Sequence, residues 1–500
     1  MPFNRSTFVY LLVLTSFLWG CKTTNPAPEI VPSQTFSADA LRQDLNFTSR
    51  TIQEVHPAFY NQPEIVTSFQ QQIDSLKNTM DHRLNRQEFF LKLAPEITAI
   101  QDGHTTVGLP WKEVNYYLKN NGRIFPFDII FGEDGTYVYR NYSKKDQIKA
   151  GLKIRSINET PVKEIKTKFT AMFAGKNKAW RLRRMEKQSD FFKALLWINY
   201  QWVDTFDIVF SHDGQSYQET VMGISRSALR SQRDSTAHPP FNFTPVDEKT
   251  GLLTINYFGE DKKKYDRFLT SSFEQINRSD IDNLIIDIRD NAGGNSDQAE
   301  ELLSYLADAP FLLETSVAPR ASSQFKKKMK QRIPGLVRWL PLQYFDKRGR
   351  TIWRAEEGSL VEVEDTPIQP KAPSKRFKGK LYVLINEGTF STATTFASAV
   401  KRKKLGTLIG RETGGEGGTF YAHPLSFQLP NTKLSLRVSS MKFQLGPDSE
   451  GDESIGVLPD STIPQNIGNE IRQIDTILQE CKIHIKKLAR VVPEVRYPHN

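Results

Sequence analysis

The spacing of apolar and polar positions changes character along the chain. Between residues 36 and 100 apolar side chains recur at helical spacing, as at Leu41 and Leu45 and through Phe89-Phe90-Leu91-Lys92-Leu93. This predicts a small helical unit, bounded at 36–118, whose last feature is Asp102-Gly103-His104-Thr105-Thr106-Val107-Gly108. Across 122–222 the pattern shifts to strand-like runs separated by turn signals: Gly135–Arg140, a run inside Ile148–Val162, Ile208–Ser211 and Glu219–Met222. A helical stretch around 163–197 interrupts them. Residues 223–246 are rich in Ser, Arg and Pro and read as a linker.

From Gly251 onward strands and helices alternate, which predicts an α/β domain over 247–467. Leu252–Tyr257 reads as a strand, and Leu284–Arg289 is a near-continuous apolar run of the kind a parallel sheet buries on both faces. A turn at Gly293-Gly294 and a capped helix at Ser296–Ala307 follow. Lys380–Asn386 repeats the strand, Gly388 the turn, and Ser391–Lys404 the helix. That helix ends on Lys401-Arg402-Lys403-Lys404, where the helix dipole favours cations. Between the two strand–turn–helix units, 312–378 is a polar insertion carrying Lys326-Lys327-Lys328-Met329-Lys330. It reads as a solvated face, with a membrane-facing patch as the alternative. Residues 468–500 close the chain with an amphipathic helix over 471–488 and a tail.

Composition narrows the class. With 38% hydrophobic and 25% charged residues in 500, the chain can bury several cores, so wholesale disorder is excluded. Two cysteines exclude a disulfide scaffold or a Cys-rich zinc module. The net charge of +10 comes from 67 basic residues mixed among 57 acidic ones, too diffuse for a nucleic-acid surface. The one long apolar run, Phe8–Trp19, follows Arg5 and precedes Gly20-Cys21. It is too short to span a bilayer and is similar to a bacterial lipoprotein signal, in which the cysteine is acylated. Residues 1–21 are therefore expected to be a signal peptide with its lipobox and 22–35 a polar tether. Lipidation at Cys21 would hold the protein on a membrane of the bacterial cell envelope, facing the periplasm or the surface, and leave Cys481 without a disulfide partner.

Two strand-to-helix turns carry the candidate chemistry. Ligands of an open parallel sheet bind beyond the carboxyl ends of its strands. Asn291-Ala292-Gly293-Gly294 stands at one such end and Gly388-Thr389-Phe390-Ser391 at another. A serine at a helix N-terminus, with backbone N–H groups from both turns, would make an acyl-transfer site. From spacing alone the plainer reading is the stronger one: Ser391 as an N-cap and glycines that only turn the chain. No Gly-x-Ser-x-Gly elbow is present, and Thr413–Gly418 lacks the ending of a phosphate-binding loop.

Taken together, three motifs resemble a known family. Ile286-Asp-Ile-Arg-Asp-Asn-Ala-Gly-Gly294, Leu384-Ile-Asn-Glu-Gly-Thr-Phe-Ser-Thr392 and Gly456-Val-Leu-Pro-Asp460 are similar, in order, to signatures of the carboxyl-terminal processing (tail-specific) serine peptidases. The resemblance implies a ClpP/crotonase-like catalytic domain. It also implies a PDZ-like β-rich domain at 122–222, matched most clearly at Gly151–Asn158. One branch of the family uses a Ser–Lys dyad, but the matching position here is Glu416. The other, containing the tricorn core and the interphotoreceptor retinoid-binding protein repeats, carries a motif like Asp102-Gly103-His104-Thr105.

That branch implies Ser391 as nucleophile, His104 as general base and Glu453 as the carboxylate orienting it, with Glu450 and Asp452 close enough to compete. The oxyanion donors would be the Thr392 N–H and one glycine of the Gly293–Gly294 pair. The implied function is an exported, lipid-anchored serine endopeptidase acting on peptides or unfolded tails through an acyl-enzyme. The alternative is a weak or inactive member that binds peptides or apolar ligands. No cofactor, metal or nucleic acid is implied, and the oligomeric state stays open. His56, in Val55-His56-Pro57, reads as a structural cap.

Overall fold

A computed structural model describes residues 34–233, 239–333, 347–363, 366–446 and 456–491, together with positions 338, 340 and 344. The chain is mixed α/β, as its patterning predicts. Among the described residues no helix is long and apolar enough to cross a membrane.

The N-terminal unit is built on three helices, Ala38–Val55, Pro63–Asn78 and Arg86–Thr98. Ser37 caps the first, and Asn85 with Glu88 forms a capping box on the third, so helix starts are written locally. Leu41, Leu45, Ile52 and Val55 recur at helical spacing and are wholly buried. Their core is continuous with that of the β-rich unit and with the hairpin Leu425–Gln428 and Ser435–Val438.

In the β-rich unit an antiparallel sheet runs in the order 215–222, 205–212, 153–157, 136–141, 127–131. Helices Val162–Thr170, Lys178–Lys187 and Ser189–Tyr200 lie between its strands in sequence. Residues 223–246, expected as a linker, instead supply structure. Ile224–Ser225 pairs with Arg123–Ile124, the helix Arg226–Arg233 buries Leu229, and Phe241–Pro245 forms an edge strand. A few apolar side chains, Ile224, Leu229 and Phe241, anchor these pieces, with Phe241 stacked on Phe268 at 4.3 Å; a composition count averages such anchors away. Residues 234–238 lie outside the described residues.

The α/β domain is a sheet ordered 241–245, 250–255, 283–287, 380–385, 406–410, 461–462, parallel throughout except for its first strand. Leu284, Ile286 and Ile288 pack into the main core, beneath helices Lys262–Arg278, Ser296–Ser304 and Thr392–Arg402. Ile285 faces the other way, against Ile477, Cys481 and Ile485 of the C-terminal helix Thr476–Val491. Burial on both faces explains why this strand shows no polar alternation. The C-terminal region, read as one helix from 471, breaks into Ile467–Ile471 and Thr476–Val491. The insertion after 312 is not only a solvated face. Its strand Ser316–Pro319 pairs with Met441–Gln444, and Phe325 of helix Ser323–Arg332 joins the N-terminal core.

Candidate active site

Strands 283–287 and 380–385 are parallel neighbours, so the turns that follow them emerge side by side. They are also stitched together. The Phe390 N–H donates to the Asn291 carbonyl (2.9 Å), Thr389 Oγ1 to the Ile288 carbonyl (3.1 Å), and Thr392 Oγ1 to the Gly294 carbonyl (3.0 Å). Ser391 sits at the mouth of the helix with φ 53° and ψ −127°, and its hydroxyl caps nothing. The plain N-cap reading therefore fails: an L-residue in this backbone region is strained, and the strain turns Oγ out of the helix. It meets His104, whose Nε2 lies 3.0 Å from Ser391 Oγ across 287 residues of sequence.

His104 reaches this position because its segment is sewn into the hairpin behind it. Thr106–Val107 pairs with Leu436–Arg437, and Gly108 N–H donates to the Ser435 carbonyl (2.8 Å). Gly103 has to be glycine: a methyl there would stand 2.5 Å from Phe390 Cζ. The Phe390 ring lies 4.9 Å from the His104 ring and is stacked on its other side by Trp180 at 4.1 Å. Trp180 belongs to helix Lys178–Lys187, which also sends Arg183 into a two-bonded pair with Asp290 (2.7 and 2.8 Å). One helix thus braces the residue before Ser391 and the residue before Asn291.

Residues 249–463 match the model of peptidase family S41. The match covers the α/β domain, and the chain is a serine peptidase whose substrates are peptides or proteins. Among solved structures it is similar to mature CPAF, 17% identical over 92% of this chain and 99% of that one, with a TM-score of 0.64. Mature CPAF complexed with lactacystin gives 17% identity, 90% and 98% coverage and a TM-score of 0.62. The photosystem II D1 C-terminal processing protease gives 14%, 86%, 96% and 0.41. The likeness to CPAF is one of fold. No curated protein matches the chain in sequence.

The fold brings Ser391, Thr392 and the glycine turn of the α/β domain together with His104 of the N-terminal unit. A methyl on Gly293 would lie 2.7 Å from Ser391 Cβ and 2.9 Å from the Thr392 nitrogen, and its φ of 94° suits glycine. Its N–H, however, donates to Asn291 Oδ1 (2.9 Å). The N–H groups of Gly294 and Thr392 donate to no acceptor among the described residues, which leaves both available at these turns. Glu453, with Glu450 and Asp452, lies outside the described residues, as does Cys21. Among the described residues no cluster of His, Cys, Asp or Glu is arranged to hold a metal.

Two carboxylates near the Ser391 turn have contrasting electrostatics. Burial alone would raise Asp102, but hydrogen bonding with His104 and His56 outweighs it and holds the carboxyl far below the usual range. Glu416, next to Gly415 on the loop packed against the Ser391 nitrogen, is pushed by burial up to about 7. The Asp102 charge adds to that rise, while its own backbone N–H, His104 and Lys176 oppose it. Sequence reasoning passed over Asp102 as a functional group, along with Trp180, Arg183 and Asp290. For Asp102 a signal existed: an Asp two residues before a His can fold as an Asx turn onto its N–H. For Trp180 and Arg183 none did, because the partners that tie them to the site, Phe390 and Asp290, lie more than a hundred residues away.

Proposed function

We propose that this chain is an exported, lipid-anchored endopeptidase in which Ser391 is the nucleophile and His104 its general base. The 3.0 Å approach of His104 Nε2 to Ser391 Oγ carries the reading. In the first step His104 takes the hydroxyl proton while Oγ bonds to the scissile carbonyl carbon. The resulting oxyanion would be met by the N–H groups of Thr392 and Gly294, at the N-terminus of the 392–402 helix, where the dipole also favours negative charge. Collapse of the tetrahedral species expels the amine, which collects the proton from His104. Water then repeats the sequence on the acyl-enzyme. Glu453, or Glu450 or Asp452 in its stead, is the carboxylate that the family resemblance implies for orienting the base.

The β-rich unit at 122–222, PDZ-like in this reading, would take an extended segment onto a sheet edge and present it to Ser391. Cys21 would anchor the protein to an envelope membrane. A protein that only binds its ligand has no need of a strained serine aimed at a histidine, which favours the peptidase over the binding alternative.

The test compares protein lacking residues 1–21 with its Ser391→Ala variant on an unstructured protein and a peptide library, with products identified by mass spectrometry. Cleavage by the first alone is the expected result. Equal cleavage by both would remove Ser391 as nucleophile.

A further inference from the structure

We propose that Asp102 is the positioning carboxylate of the general base, holding the His104 segment and acting as counter-ion to its imidazolium, and that His56 keeps Asp102 in place. The inference rests on the Ser391–His104 reading above. It adds a carboxylate from the base's own loop, separate from the acidic segment that ends before Gly456.

The observation is a buried negative charge whose compensation is incomplete until the reaction begins. Asp102 is 5% exposed, and no lysine or arginine among the described residues pairs with it. Its Oδ2 receives hydrogen bonds from Thr105 Oγ1 (2.6 Å) and His56 Nε2 (3.0 Å); Oδ1 receives the His104 N–H (3.0 Å). The proton positions follow from the partners. His56 Nδ1 accepts the Ala58 N–H (3.1 Å), so the ring's proton sits on Nε2 and the neutral tautomer donates to Asp102. Thr105 Oγ1 accepts the Ser439 N–H (3.0 Å), which commits its own proton to Asp102 as well. Three donors hold the carboxylate ionised, yet none supplies a full positive charge.

The one remaining contact is His104 Nδ1, 3.7 Å from Oδ1. When Nε2 takes the serine proton the ring becomes a cation, and the buried charge gains its counter-ion at that moment. An interaction stronger in the charged transition state than in the ground state lowers the barrier. The distance is long for a hydrogen bond, as such contacts often are before substrate binds.

The frame around Asp102 is rigid. His56 is wholly buried, its ring 4.8 Å from Tyr421 and 5.7 Å from Phe59, and its carbonyl accepts Arg320 Nη1 (2.7 Å) from the insertion. The titratable groups facing the pair are His56, Glu416 with Lys176 beside it, and Arg320 through the His56 carbonyl. Glu450, Asp452 and Glu453 lie outside the described residues. Glu416 titrates in the same range as an imidazole and has to be controlled for.

The test is the pH profile of peptide hydrolysis by full-length protein in detergent, comparing Asp102→Asn, Glu453→Gln, Glu416→Gln and Asp102→Asn in the Glu416→Gln background. Asn keeps an acceptor for the His104 N–H but removes the charge. Expected for D102N is a loss of about 10²-fold or more in kcat at little change in KM. The acidic limb of kcat/KM should move to lower pH, because an imidazolium without its anion releases its proton more easily, and the move should persist with Glu416 neutralised.

Wild-type kcat and limb in D102N would overturn the proposal, as would a limb that moves with E453Q alone or a shift that vanishes in the E416Q background. Should D102N not fold, His56→Ala and His56→Gln decide. A kcat loss of about tenfold in H56A, restored by the amide donor of Gln, supports the role; wild-type kcat in H56A refutes it. Hydrolysis surviving Ser391→Ala would instead sink the underlying Ser391–His104 reading.

Discussion

Trp180 offers the sharpest test of how this site is held. Its ring is 5% exposed and lies flat on Phe390, 4.1 Å between centroids and 3° between planes, while Phe390 in turn borders His104. Removing it in Trp180→Ala opens a cavity against the Ser391 turn, and large-to-small changes of this kind cost about 3–5 kcal/mol. One feature offsets part of that. The indole N–H is buried with no acceptor among the described residues, a penalty of about 1–3 kcal/mol already present in the native state. The net loss should therefore fall near the lower end, about 2–3 kcal/mol. Trp180→Phe keeps a stacking ring, worth about 0.5–1.5 kcal/mol, and deletes the unpaired donor, so it should cost much less.

Activity should fall more steeply than stability, because displacing Phe390 lets the His104 ring drift from Ser391, and a shift of about 1 Å can cost roughly 10²-fold in rate. The assay is thermal unfolding alongside kcat/KM on one peptide for the wild type, W180F and W180A. A W180A protein that melts and turns over like wild type, or a W180F worse than W180A, would refute the argument that the stack positions the base.

Other expectations are as direct. Arg183→Ala should destabilise by about 3–5 kcal/mol, since it strips the Asp290 carboxylate, largely buried and held far below its usual range, of its main partner; a double-mutant cycle with Asp290→Asn should then be strongly non-additive. Glu416, pushed up to about 7, stays protonated in the folded state at pH values where the unfolded chain has already ionised. Stability from this group is full below about pH 4.5 and is lost as pH rises through 7, by up to about 3 kcal/mol, so Glu416→Gln should flatten the fall in melting temperature between pH 5 and 7.5. Cys21→Ser should abolish incorporation of labelled fatty acid and shift the protein from the membrane to the soluble fraction; unchanged labelling would dismiss the anchor.

Legibility from the sequence varied with the range of the interaction. Leu284–Ile288 could be read as a doubly buried strand because both of its faces meet apolar partners, which leaves a continuous run in the primary structure. The capping of Ala38–Val55 and Arg86–Thr98 was equally local. The stretch 223–246 misled because a few anchors, Ile224, Leu229 and Phe241, sit in polar surroundings and gain their meaning from distant partners. Ser391 looked like an N-cap until its backbone showed φ 53° and a hydroxyl turned away from the helix. Of the two glycines proposed as oxyanion donors, only the hydrogen bond from Gly293 to Asn291 tells which N–H is already committed.

What the sequence determined by itself was the period of each segment, the turns that end the parallel strands, and the residue types able to do acyl-transfer chemistry. These are properties of neighbours in the chain, governed by backbone sterics and by which side chains water tolerates. Only the tertiary structure decided that His104 meets Ser391 and that Asp102 and His56 stand behind it. It also decided that Trp180 and Arg183 brace both turns from a third unit. Apart from the local turn that ties Asp102 to His104, each of those contacts joins residues dozens to hundreds of positions apart. Their formation depends on packing between units, which leaves no period in the sequence to read.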